Sequence, residues 1–136
     1  MNILASKAVG KVDVTVLRLE GELDGQTYES LIARVKDVYN AGSRNFLIDL
    51  TDLTYISSAG LVALHSAALL VRGEALPDAE AGWSSIRSVG SRGALGKQEH
   101  IKLFNPREEV KSVLEMVGFD SSFDIFTDFD KAVNSF

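Results

Sequence analysis

Cysteine is absent from the 136 residues, so neither a disulfide scaffold nor a thiolate metal site can be built. No apolar run approaches the ~20 residues that span a bilayer. Met1 to Lys11 lacks the basic start and continuous apolar stretch of a signal peptide. Lysine and arginine number 14 against 19 acids, a formal net charge of -5. Nucleic acid is a poor partner for such a chain, because neutralising phosphates needs a basic face. No Gly-rich Walker sequence and no Gly-x-Ser-x-Gly elbow occur, which argues against NTP hydrolysis and against a serine hydrolase. The two histidines, His65 and His100, complete no triad. These absences leave a soluble cytoplasmic protein with no membrane or nucleic-acid partner, no metal and no cofactor, and they disfavour an enzyme.

What is present describes a globular α/β chain. Hydrophobic residues make up 46%, and the length suits a single domain spanning residues 1–136. Ile3–Ala8 and Val12–Leu19 read as strands, the second with Val12, Val14 and Val16 alternating around Asp13 and Thr15. Gly10-Lys11 joins them as a tight turn, and Gly21 to Gly25 ends the second strand. From Thr27 the period lengthens: Leu31, Ile32, Val35, Val38 and Tyr39 line one face of a helix that Ala41-Gly42 stops. Asn45–Leu50 is a buried strand, Thr51–Thr54 a turn, and Tyr55-Ile56 a short extended lead into a helix over Leu61–Val71. His100–Phe104 is another strand, and Pro106 opens a helix with acids in its first turn and a core face of Val110, Val113, Leu114 and Val117. Gly118 closes that helix, Phe123–Phe126 is a short strand, and Thr127 or Asp128 caps a last helix carrying Ala132 and Val133. The alternation of strands and helices implies a mixed, mostly parallel sheet of 4–5 strands with helices chiefly on one face. Residues 73–98 break this rhythm, being rich in glycine and serine and poor in periodic apolar residues. They are expected to form a flexible insertion.

Ser57-Ser58-Ala59-Gly60-Leu61 stands where a strand gives way to a helix, and such carboxyl-end loops line the crevice of open α/β sheets. A serine there is, taken alone, an N-cap worth about 1 kcal/mol. Two features point further. Gly60 weakens the first helical turn by about 1 kcal/mol, as expected where a backbone must approach closely. Asp24 ends a neighbouring strand and is expected on the same rim.

Gly21-Glu22-Leu23-Asp24, followed by Asp49 to Leu61, resembles the anti-sigma factor antagonists, proteins of the STAS fold, and the order of elements agrees over roughly residues 3–72 and 99–135. The resemblance implies that the chain binds an anti-sigma factor with serine kinase activity in a partner-switching pathway. It implies that phosphorylation at Ser58 turns the protein off, and that Asp24, Ser57, Ser58, Ala59, Gly60 and Leu61 form the partner-binding surface. Family members often carry an aspartate just before the acceptor. Here Ser57 stands in that place and is a rival acceptor. The alternative in another class is a STAS scaffold subunit of a signalling or lipid-transport assembly that is never phosphorylated. His65 falls two helical turns after Ser58, too far to be its base, so a solvated or capping role is expected. The acids from Asp120 to Asp130 lack calcium-loop spacing and read as a solvated face, and Trp83 lies within the insertion.

Overall fold

The computed structural model of the chain describes residues 1–73 and 97–136. Among the described residues ten elements follow one another: β1 (Asn2–Val9), β2 (Asp13–Leu23), α1 (Tyr28–Asn40), β3 (Phe46–Ile56), α2 (Ser58–Val71), β4 (Ile101–Phe104), α3 (Glu108–Met116), α4 (Phe119–Ser122), β5 (Ile125–Phe126) and α5 (Phe129–Asn134). The strands lie in the sheet in chain order. β1 pairs antiparallel with β2, and every other neighbouring pair is parallel. This is the mixed, mostly parallel α/β sheet that the alternation implies.

Strand periodicity sorts the core into two faces. Leu17, Leu19 and Leu23 of β2 and Phe46, Ile48 and Leu50 of β3 point towards the main helical layer, where they meet Leu31 and Val35 of α1 and Val110 and Leu114 of α3. Val14, Val16 and Leu47 point the other way and are covered by Ala132 and Val133 of α5. Helices therefore occupy chiefly one face, with α5 closing part of the second. α2 is buried almost all round, including Leu61, Ala63, Leu64, Ala67 and Ala68, because it packs between α1 and the sheet. Its apolar run is thus a core helix, and no helix among the described residues is long and apolar enough to cross a membrane.

Several local expectations change. The turn expected at Thr51–Thr54 is instead strand, and β3 continues to Ile56. The pairing explains why turn-type residues are tolerated. Between Arg18↔Asp49 and Glu20↔Asp52, β3 uses one more residue than β2, and it does so again between Gly21↔Leu53 and Glu22↔Tyr55. These are bulges, which absorb local side-chain bonding such as Asp49 Oδ1 accepting from the Thr51 amide at 3.0 Å. β2 likewise runs through Gly21, whose φ of 111° only glycine adopts cheaply, and ends at Leu23. His65, expected in a solvated or capping role, is 5% exposed in the middle of α2, because that helix has no solvent face there. Phe119 and Phe123 are fully buried around the short α4, so these two phenylalanines join the core, while Asp120, Asp128 and Asp130 face solvent and Phe129 is 39% exposed. Asp128, not Thr127, caps α5 by accepting from the Lys131 amide.

The expected insertion, 73–98, falls mostly outside the described residues, Trp83 included. Its carboxyl end is described and docked: Gln98 is buried, its amide donates to the Ser122 carbonyl at 2.8 Å, and Lys97 pairs with Asp124 at 3.0 Å.

Candidate functional site

The rim is built where β2 and β3 end together. Leu23 pairs with Ile56, and the next amide of β3's extension, Ser57 N–H, donates to the Leu23 carbonyl at 2.9 Å. That bond ties the start of α2 to the residue before Asp24. Ser57 is the N-cap, with extended φ and ψ of -99° and 178°, and its Oγ accepts from the Gly60 amide at 3.3 Å. Ser58 is the first residue of α2 and is exposed. The two serines are thereby differentiated: one hydroxyl bonds the helix it caps, while the other stands at the helix start in solvent.

Gly60 is where the close approach occurs. A Cβ there would meet the Leu23 carbonyl oxygen at 2.6 Å, Ile56 Cγ1 at 2.7 Å and Leu23 Cγ at 3.0 Å. Gly60 and Leu61, expected on the binding surface, are buried beneath it because their helical positions face the core. Ala59 is half-buried. The exposed part of the rim is therefore Ser58, with Ser57, Ala59 and Asp24 beside it at partial exposure.

Asp24 organises the β2–α1 connection. Its Oδ1 accepts from the Gln26 amide at 2.9 Å, its own amide donates to Thr27 Oγ1 at 2.9 Å, and its carbonyl accepts from the Tyr28 amide at 2.9 Å. An aspartate suits this place because its short carboxylate can bond a backbone amide two residues on. The carboxylate remains half-buried at the rim, one residue from the carbonyl that holds Ser57.

Two features of the neighbourhood escaped the sequence. Tyr55, two residues before Ser57 on β3, is 51% exposed and offers an aromatic surface beside the rim. On the sheet face away from the main helices, Arg18 donates to Asp52, and Arg107 donates to the Thr51 carbonyl at 3.0 Å while lying 4.0 Å from Asp52. The hydrogen bond to Asp52, then its charge, raises the Arg18 pKa above the usual arginine value. No motif links these residues. They meet only through the β2–β3 register and the loop after β4.

An open cleft of about 500 Å³ lies between α3 and β5, lined by Lys97, Lys111, Glu115, Asp124 and Thr127 among others, and by no residue of the serine rim. Among the described residues, no group of three or more His, Asp or Glu could hold a metal ion.

The rim defines a class: a small α/β module that presents one hydroxyl at the start of a buried helix. The chain belongs to the STAS domain family, whose match extends over residues 5–74. Its fold is similar to that of an anti-sigma factor antagonist from Mycobacterium paratuberculosis, at a TM-score of 0.68 and 19% identity over 98% of this chain and 92% of that one. A Thermotoga maritima protein proposed to be an anti-sigma factor antagonist gives a TM-score of 0.64 at 19% identity, over 88% of this chain and 83% of that one. The Bacillus cell fate determinant SpoIIAA in its phosphorylated form gives 0.56 at 14% identity, over 98% and 97%.

The capping role of Ser57 has a measurable consequence. Ser57→Ala is expected to lower stability by about 1 kcal/mol through loss of the cap. Denaturant unfolding should show a lower midpoint at unchanged slope. An unchanged midpoint would mean that the 3.3 Å bond to Gly60 contributes nothing.

Proposed function

We propose that this protein is an anti-sigma factor antagonist that binds an anti-sigma factor with serine kinase activity and is turned off when that partner phosphorylates Ser58. The observation that carries the reading is the exposure of Ser58 as the first residue of α2 while Ser57 is engaged as the cap. The likeness in fold to anti-sigma factor antagonists, one of them in a phosphorylated form, supports the choice of partner class. The chain contributes the hydroxyl, and the partner brings ATP, Mg²⁺ and the catalytic base. Asp24, Ser57, Ser58 and Ala59 form the contact surface, with Gly60 and Leu61 holding it from below. It acts in the cytoplasm, and the family domain occupies the chain as one unit interrupted by an insertion within 73–98.

A phosphate at this place is compatible with the fold, because amides at a helix N-terminus point at an anion and the helix dipole favours it. The partner interface is what changes. The test is incubation of the protein with candidate anti-sigma kinases and ATP, followed by mass spectrometry of the peptide containing residues 57 and 58. A single added phosphate on Ser58 is expected. Absence of any phosphate from a kinase that demonstrably binds the chain would leave the unphosphorylated scaffold in its place.

A further inference from the structure

The far edge of β1 has no strand beside it among the described residues. β1 is eight residues long and pairs with β2 without a register shift, from Asn2↔Glu20 to Val9↔Asp13. Natural sheets guard such edges with proline, bulges, short strands or several charges. β1 has one guard, Lys7, and it exposes Leu4 at 52% and Val9 at 79%.

The direction of its backbone groups can be read from two bonds. The Thr15 amide donates to Asn45, on the β3 side, so odd-numbered residues of β2 face β3 and even-numbered ones face β1. The Gly10 amide donates to Val12 across the hairpin, which gives the same parity on β1. Ile3, Ala5, Lys7 and Val9 therefore turn their N–H and C=O groups outward. Their side chains share the helical-layer face, since Ile3 pairs with Leu19 and packs on the main core.

We propose that β1 pairs with β1 of a second copy, antiparallel about a two-fold axis at Ser6, joining two five-stranded sheets into one of ten strands. That register sets Ile3 opposite Val9 of the second copy, Leu4 opposite Ala8 and Ala5 opposite Lys7. Both exposed apolar side chains gain apolar mates, and the one charge faces alanine instead of itself. Every outward N–H and C=O meets its complement. A two-fold axis at Ala5 is poorer, because it sets Leu4 against Ser6 and Val9 against Met1. The self-matching of this one strand argues for a second copy over an unrelated peptide. An interface made by one strand edge lies at the small end of specific ones, below about 1,200 Å² in total, so the association is weak and reversible. β2 stands between this edge and β3, which leaves the Ser58 rim of each copy open.

The absence of native cysteine makes a register test clean. Ser6 would face its own copy as a non-hydrogen-bonded pair with Cα atoms about 4.5 Å apart, within the range a disulfide bridges. Mild oxidation of the full chain carrying Ser6→Cys is expected to give mostly covalent dimer, and the same treatment of Ala5→Cys mostly monomer. In sedimentation velocity the wild type should associate reversibly as its concentration rises. Ala5→Pro removes only an outward amide, so it should keep the fold, checked by circular dichroism, and weaken association at least tenfold, about 1.4 kcal/mol. A wild type that stays monomeric at ~1 mM would overturn the proposal, at the weak limit of specific association. So would a folded Ala5→Pro that associates like wild type, or an Ala5→Cys that cross-links as readily as Ser6→Cys.

Discussion

Ser58→Ala is expected to abolish phosphoryl transfer from the partner kinase while leaving binding within about twofold. The physical basis for that pair of results is the position of the residue. Ser58 is exposed and does not cap the helix, so removing its hydroxyl breaks no bond that holds α2. Surface changes of this kind stay within about 0.5 kcal/mol. Phosphate on Ser58 is a different perturbation. It adds about -1.5 to -2 charges to a chain already at -5, on a rim that holds the half-buried Asp24 carboxylate. A partner without a matching cation must then desolvate a dianion, at a cost of several kcal/mol. Ser58→Asp carries one charge where phosphate carries nearly two, so it should weaken binding by roughly tenfold, or 1.4 kcal/mol, and phosphorylation should weaken it more. Titration of each form against the same anti-sigma partner by calorimetry checks the order. Label that persists in Ser58→Ala and vanishes in Ser57→Ala would move the acceptor by one residue. Equal affinity for the phosphorylated and unmodified forms would remove the switch.

The elements that sequence alone located are those whose burial pattern is local. The helix face of Leu31, Val35 and Val38, and the strand of Phe46, Leu47 and Ile48, are legible because each shows its burial within its own stretch: one apolar face for the helix, and an unbroken apolar run for a strand buried on both faces. The continuation of β3 through Thr51–Thr54 was not legible. Its residues favour turns, and they are held extended by pairing with β2 some thirty positions earlier. His65 is a similar case: a polar residue reads as solvated until α2 proves to be surrounded. At the rim, the motif marked Ser57, Ser58 and Gly60 as a group. The division of labour between the serines needed cap geometry, because the N-cap position cannot be fixed to one residue from sequence. Tyr55 and the Arg18–Asp52–Arg107 cluster depend on sheet register and carry no sequence signal of their own.

Gly60→Ala is expected to destabilise the fold by about 1–2 kcal/mol, against the ordinary preference for alanine in helices. Backbone conformation is not the reason, since Gly60 is not among the residues with positive φ. In open space the substitution would therefore stabilise α2 by up to about 1 kcal/mol. The space is closed: the new Cβ would lie 2.6 Å from the Leu23 carbonyl oxygen, a backbone atom that cannot swing aside as a side chain does. Overpacking of this kind costs about 1–3 kcal/mol, and here it outweighs the propensity gain because backbone and two side-chain atoms are met together. Relief requires α2 to move off the end of β2, and the same Leu23 carbonyl accepts from Ser57. A single methyl group should thus lower the melting temperature by roughly 3–8 °C and also slow phosphorylation of Ser58 by misplacing it. Gly25→Ala is the control. Gly25 is exposed on the adjoining loop, has nothing within 4 Å of an added Cβ and lacks a positive φ, so its substitution should be neutral or slightly stabilising. If Gly60→Ala melts with the wild type, helix and strand do not pack as closely as the 2.6 Å approach requires, and the placement of Ser58 by Gly60 fails with it.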